Sequence, residues 1–157
     1  MTNSQTEIFR RRVADVLGTP PPAAPVSSTV GEAVDCLRET RASGLVLVDG
    51  DGRPAGLLTE ADIARRVALT VDAATPVAGI MTVPVITVSE NDYLYRAIAR
   101  MRKNVLRHLP VIDEAGRLAG MLHLDDALAV ASDDLVDRID RLSGDGSEAA
   151  LRAAGAI

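Results

Sequence analysis

Apolar residues along this chain alternate between two periods. Behind Thr29-Val30-Gly31-Glu32, a hydroxyl followed three residues on by a carboxylate, Val30, Ala33, Val34 and Leu37 fall at i, i+3, i+4 and i+7. That spacing predicts an amphipathic helix with a capping box. Leu45-Val46-Leu47-Val48 is then a short apolar run, Asp49-Gly50-Asp51-Gly52 has turn chemistry, and Ala55 to Thr59 returns as a second strand. The three together read as a β-hairpin, and a helix from about Glu60 to Leu69 follows it. The series then recurs: strand Val85 to Val88, helix Asp92 to Lys103, strand Leu109 to Ile112, turn Asp113 to Gly116, strand Leu118 to Leu122 and a helix from about Leu124.

The recurrence is a duplication. Gly52 to Asp62 aligns with Gly116 to Asp126 at an offset of 64 residues, with six of eleven positions identical, where chance gives about one. The register runs upstream through Asp49/Asp113, Leu37/Met101, Val34/Ile98 and Ala33/Ala97; before that a two-residue slip is expected, setting Pro22 against Pro84. Strands apolar on both faces and interleaved with helices imply sheets covered by helices. The fold class is therefore α/β (α+β): two βα units packed sheet to sheet about a pseudo-twofold axis. The expected division is an N-terminal helix at 1–17, unit one at 18–70, a linker at 71–76, unit two at 77–131 and a C-terminal helix and tail at 132–157. Ile8, Phe9, Val13, Val16 and Leu17 form one terminal apolar stripe and Leu135, Ile139 and Leu142 another, each serving to pack on its own domain or to meet a second subunit. Ser143 to Ile157, rich in Gly and Ala, is expected to be frayed or weakly helical.

Composition narrows the function. The apolar share of 47% suffices for a core, but with no Trp, one Phe and two Tyr a flat ligand ring has to be held by aliphatic side chains and backbone. A net charge of −5 opposes counterion release, and stacking platforms are missing, so no nucleic acid partner is expected. Cys36, the single cysteine, sits among apolar residues and reads as an inert thiol. No run approaches the ~18 apolar residues of a membrane span, and the first residues lack a secretion signal's apolar core, which makes the cytoplasm the expected location and a membrane role unexpected.

No nucleophile elbow, Walker loop, GxGxxG or CxxC occurs, so the chain is not expected to be an enzyme. What the duplication retains is Gly56-Leu57-Leu58-Thr59-Glu60-Ala61-Asp62 and Gly120-Met121-Leu122-His123-Leu124-Asp125-Asp126: a glycine, a hydroxyl or imidazole at the end of a strand, and an aspartate one helical turn on. A helix start offers unpaired N–H groups to an anion, and the carboxylate can accept from two neighbouring hydroxyls, as on a ribose. Phosphate plus ribose describes a nucleotide. Thr59 and Asp62 as plain N-cap and first-turn residues is the competing reading.

Both copies, over about Val13 to Val130, resemble CBS domains arranged as a pair; Arg107-His108-Leu109-Pro110-Val111-Ile112-Asp113 with Gly116-Arg117 and Gly120 is closely similar to that family's second-strand signature. The resemblance implies βαββα units, a homodimer that buries the helices following Asp62 and Asp126 and those starting near Thr29 and Asp92, and an inter-unit cleft for an adenosine ligand: AMP, ADP, ATP or S-adenosylmethionine. It assigns the ribose to Asp62 and Asp126, the phosphate to Thr59, a base or phosphate contact to Thr87, and ligand contacts to the stretch Arg107, His108, Leu109 and Pro110. The linker and spacing also resemble CBS pairs of bacterial nucleotidyltransferase-like signalling proteins, which implies an effector domain or enzyme outside these residues. His123 departs from the family's small hydroxyl, and Ser43-Gly44 stands where the second copy has Arg107-His108. The second copy, with Arg107, His108, Thr87, His123 and Asp126, is therefore expected to hold a phosphorylated ligand more firmly than the first, unless Arg107 reaches across the cleft. His108 and His123 are also expected to be cross-strand neighbours, with a metal-binding sensor as one alternative function and a dimerisation module with degenerate pockets as another.

Overall fold

A computed structural model of the chain describes residues 7–66 and 71–132. The C-terminal stripe at Leu135, Ile139 and Leu142 and the stretch Ser143 to Ile157 lie outside the described residues. Each unit is a three-stranded sheet with two helices. In unit one these are β1 (Ala23–Pro25), α2 (Val30–Thr40), β2 (Gly44–Val48), β3 (Pro54–Thr59) and α3 (Glu60–Arg66). In unit two they are β4 (Val88–Ser89), α4 (Leu94–Lys103), β5 (His108–Ile112), β6 (Leu118–His123) and a helix, α5, at 124–132. A short helix α1 (Glu7–Arg10) precedes both units. Among the described residues no helix is long and apolar enough to cross a membrane.

The duplication holds through the hairpin registers. β2 pairs antiparallel with β3 through Leu45↔Leu58 and Val46↔Leu57, and β5 with β6 through Leu109↔Leu122 and Pro110↔Met121; both hairpins shift register at the equivalent step, Leu47/Val48 and Val111/Ile112. Gly52 and Gly116 close the turns at φ 77° and 80°, a conformation that costs glycine nothing. In each turn the preceding aspartate, Asp49 or Asp113, accepts two backbone N–H bonds at 2.9 Å. The capping box on α2 forms as its sequence predicts, with Glu32 accepting from the Thr29 N–H at 2.8 Å and the Thr29 hydroxyl accepting from the Glu32 N–H at 3.3 Å.

Two sequence expectations are corrected here. The parallel pairings Ala24↔Leu47 and Val88↔Val111 carry the 64-residue offset into the first strands, so there is no slip. Pro20, not Pro22, is the counterpart of Pro84; a run of three prolines at 20–22 had offered more than one match. The strand expected over Val85 to Val88 is only Val88–Ser89. Val85 and Ile86 are apolar because they pack, one between the sheets and one on the unit-two core, and not because they pair.

Alternation on the strands explains their double-sided apolarity. Leu45, Leu47 and Leu58 face α2 in one core, and Leu109, Val111 and Leu122 face α4 in the other. The residues between them, Val46, Leu57 and Met121 with Val48, Val85 and Leu118, form a third cluster that joins the sheets back to back.

The first residues of each copy cross to the other unit. The apolar stripe expected as one N-terminal helix breaks after Arg10; Val13–Val16 is a 3₁₀ turn whose Val13, fully buried, belongs to the unit-two core. Its backbone is fixed by Val13 N–H to Asp92 O at 2.9 Å and by Leu94 N–H to Arg11 O at 2.9 Å, the latter satisfying the start of α4, which has no side-chain cap. Reciprocally, the 3₁₀ turn Val77–Gly79 docks on unit one, with Val77 N–H to Ser28 O at 2.9 Å and Val77 and Ile80 in that core. Each bond is the other shifted by 64 residues.

Candidate functional site

Reciprocal crossing creates two clefts between the units. The first, of about 770 Å³, is lined on one side by the β3–α3 junction with Thr59, Glu60, Asp62 and Arg65, on another by Thr82, and on the far side by Arg102, Val105, Arg107 and His108 of unit two. At the junction the Thr59 hydroxyl donates to Asp62 Oδ2 at 2.8 Å, the Thr59 N–H donates to the same oxygen at 3.1 Å, and the Asp62 N–H returns to the hydroxyl at 3.2 Å. These bonds are the N-cap geometry of the competing reading, and they also hold the carboxylate at the cleft wall. Oδ1 takes no hydrogen bond from a described residue, which leaves it able to accept from a ligand hydroxyl.

The second cleft, of about 690 Å³, is the first shifted by 64 residues: His123 and Asp126 stand for Thr59 and Asp62, Gly18 for Thr82, Arg41 for Val105 and Ser43 for Arg107. Thr19 to Pro22 complete its wall. His123 cannot reproduce the threonine cap, and Asp126 is exposed. Charge separates the two. The first cleft has three guanidinium groups, Arg65, Arg102 and Arg107, against the carboxylates of Glu60 and Asp62; the second has Arg41 against Asp126.

His108 stands at the boundary of the clefts. It opens β5 directly across from His123, with ring centroids 5.0 Å apart and edge-on, as the hairpin register predicts. Its Nε2 lies 2.7 Å from the Ser43 hydroxyl, and Ser43 lines both clefts. Gly44, the counterpart of His108, has no side chain to oppose the ring, since a Cβ there would lie 3.3 Å from His108 Cδ2. Burial, then the neighbouring His123 and Arg107, push the His108 pKa below the usual 6.5 against the pull of Asp125 and Glu60. The neutral ring is thus favoured at pH 7, and its Nε2 can accept from or donate to the Ser43 hydroxyl according to tautomer.

The sequence-predicted residues therefore divide as follows. Thr59, Asp62, Arg107 and His108 come together in the first cleft, and His123 and Asp126 in the second. The grouping of Arg107 and His108 with Asp126 is corrected: the basic pair faces the carboxylate of the other copy. Thr87 is half-buried just ahead of β4 and lines neither cleft. Leu109 is fully buried in the unit-two core, and Pro110 is buried opposite Met121 between the sheets. The sequence reading missed Ser43, Thr82 and Arg102 and the wall at Gly18 to Pro22. Once one cleft's lining is known, the offset of 64 finds the other's. The two imidazoles adjoin, but among the described residues no set of three metal-binding side chains gathers around them.

The CBS domain family matches residues 13–69 and 77–133, the two copies including their crossing segments. The chain belongs to the CBS domain family. The CBS pair is a regulatory rather than a catalytic fold, and solved pairs resemble this one along most of its length. The CBS domain protein PAE2072 from Pyrobaculum aerophilum, complexed with AMP, is 30% identical with a TM-score of 0.71, covering 78% of this chain and 98% of that one. The CBS domain pair of protein MJ0100, in complex with 5'-methylthioadenosine and S-adenosylmethionine, is 28% identical with a TM-score of 0.68, covering 76% and 94%. Among curated relatives, an inosine-5'-monophosphate dehydrogenase of Mycobacterium bovis is 33% identical over 123 residues, 78% of this chain and 22% of that protein. A homoserine O-acetyltransferase of Methanocorpusculum labreanum is 34% identical over 110 residues, 70% of this chain and again 22% of its own length. The CBS pair thus spans about a fifth of either enzyme.

Proposed function

We propose that this CBS pair is a regulatory sensor that binds a phosphorylated adenosine ligand, AMP, ADP or ATP, in its first cleft. The observation that carries the reading is the meeting of Thr59 and Asp62 from unit one with Arg102, Arg107 and His108 from unit two around one volume of about 770 Å³, within the range of about 300–1,000 Å³ usual for small-molecule sites. Asp62 Oδ1 accepts from the ribose hydroxyls, Arg65, Arg102 and Arg107 donate to phosphate oxygens, and His108 supplies a neutral contact at the back. Solved pairs of the same family carrying AMP or S-adenosylmethionine support the ligand class.

The second cleft, with one arginine and no threonine cap, takes an uncharged or cationic adenosine such as S-adenosylmethionine, or has lost its ligand. Since each cleft is walled by both units, a ligand that binds one spacing of the units more tightly shifts the pair towards it. That shift is the signal passed to a second copy of the chain or to an effector domain, for which a nucleotidyltransferase-like partner remains the expectation.

A thermal-shift screen with AMP, ADP, ATP and S-adenosylmethionine tests the function. A ligand at 100 times its Kd adds about 2.7 kcal/mol, or about 5–10 °C for a chain of this size. A rise with at least one phosphorylated adenosine is expected. No rise with any of the four refutes the sensor and leaves a dimerisation module with degenerate pockets.

A further inference from the structure

The duplicated helices α2 and α4 kept their buried positions and inverted their outer charge. Val30, Ala33 and Leu37 answer Leu94, Ala97 and Met101 on the buried side. On the exposed side Glu32 answers Arg96 and Glu39 answers Lys103, while Arg38 and Arg102 are basic in both copies. α4 carries Arg96, Arg100, Arg102 and Lys103 with no acidic residue, whereas α2 carries Glu32, Asp35 and Glu39 against Arg38.

The apolar relief of the two faces is complementary in the same sense. All three aromatic side chains of the protein, Phe9, Tyr93 and Tyr95, gather at the start of α4. Phe9 meets Tyr95 edge-on at 5.4 Å and Tyr93 stacks on it at 5.7 Å, yet Phe9 is 56% and Tyr95 36% exposed. Aromatic side chains beside arginine are the groups that carry most binding energy in protein interfaces. Between α2 and α3, by contrast, lies an open groove of about 500 Å³ with Val34, Leu37, Ile63 and Ala64 as its apolar walls and Arg38, Arg41 and Glu60 at its rim.

From this we infer that the basic, aromatic α4 face of one copy docks on the acidic, grooved α2 face of a second copy, so that the homodimer is head-to-tail. The inference rests on the reading of the pair as a homodimer and adds its orientation. Each copy owns one face of each kind, and the two faces are related by the pseudo-twofold of the pair. Two equal α2–α4 contacts therefore close a twofold dimer, with unit one against the partner's unit two. A head-to-head dimer would instead set acidic α2 on acidic α2 and basic α4 on basic α4, and like charges so placed oppose association.

Sedimentation equilibrium of the full chain with paired charge reversals decides the matter. The α2 variant is Asp35→Lys with Glu39→Lys, sparing Glu32 in its capping box; the α4 variant is Arg100→Glu with Lys103→Glu, sparing Arg102 in the cleft. Melting curves on the same samples separate loss of fold from loss of contact. The expected result is a dimeric parent, a dimer dissociation constant raised by about 100-fold in each variant, and recovery of most of the affinity when all four changes are combined. A monomeric parent refutes the homodimer and its orientation together. A parent dimer untouched by either reversal, or a four-fold variant no tighter than the two-fold ones, overturns the head-to-tail arrangement and leaves the homodimer standing.

Discussion

Replacing Gly120 by Ala tests the reciprocal crossing from which both clefts are built. Gly120 lies on β6 under the N-terminal segment, and a Cβ added there would come within 2.8 and 2.9 Å of the two methyl carbons of Leu17 and 3.2 Å of its Cγ. Both methyl contacts are well inside van der Waals separation, so Leu17 must swing out of the place it holds against the unit-two core. Overpacking of this kind costs about 1–3 kcal/mol, and a loss of about 2 kcal/mol lowers the melting temperature of a chain this long by about 4–8 °C. Leu17→Ala alone gives up a partly buried side chain and costs about 1–2 kcal/mol. In the double variant the new methyl occupies space that Leu17 vacated, so the two losses do not add; a coupling of at least about 1 kcal/mol is expected from urea denaturation of the four proteins. Losses that add to within about 0.5 kcal/mol would mean that the two residues do not touch in solution, and the crossing of residues 13–17 onto unit two would be wrong.

Three further outcomes follow from the same geometry. Truncating Leu45, fully buried between β2 and α2, to Ala costs about 2–5 kcal/mol in chemical denaturation; a change below 1 kcal/mol would contradict the described core. His108 has a pKa below 6.5 in the fold because burial, His123 and Arg107 disfavour its charged form. The unfolded chain therefore binds the proton more readily, and stability present above pH 6.5 is lost as the pH falls through and below that value. His108→Gln should flatten this acid limb of the stability curve, and an unchanged slope would refute the assignment. Arg107→Ala should weaken AMP by at least about tenfold, the worth of one charge-assisted contact, and should weaken adenosine far less; equal losses for both ligands would remove Arg107 from the phosphate.

Much of the fold is legible in the sequence because its rigid parts are local. The αL glycines Gly52 and Gly116, the aspartates that cap their turns, and the Thr29–Glu32 capping box each fix a few successive residues. Duplication then prints them twice at one spacing. What depends on contact between distant segments is less legible. Arg107 and His108 stand at the start of β5, whose partner β6 leads to Asp126, and sequence proximity groups them with that carboxylate, yet the crossing of the chain sets them opposite Asp62. The stripe Ile8 to Leu17 has helical spacing, but its second half is held as a 3₁₀ turn by backbone bonds to Glu90 and Asp92 that no local pattern encodes. Val85 to Thr87 has strand composition without a strand's partner, since its apolar side chains serve packing, Val85 between the sheets and Ile86 on the unit-two core.

The claim that the first cleft binds the phosphorylated ligand is tested most directly by calorimetric titration of AMP into the parent protein, Asp62→Ala and Asp126→Ala side by side. Asp62 is held by the Thr59 cap in a cleft with three arginines, whereas Asp126 is exposed in a cleft with one. The account predicts that Asp62→Ala abolishes measurable AMP binding while Asp126→Ala leaves it within about threefold of the parent, a difference of under ~1 kcal/mol. Loss of binding in Asp126→Ala with retention in Asp62→Ala would contradict it.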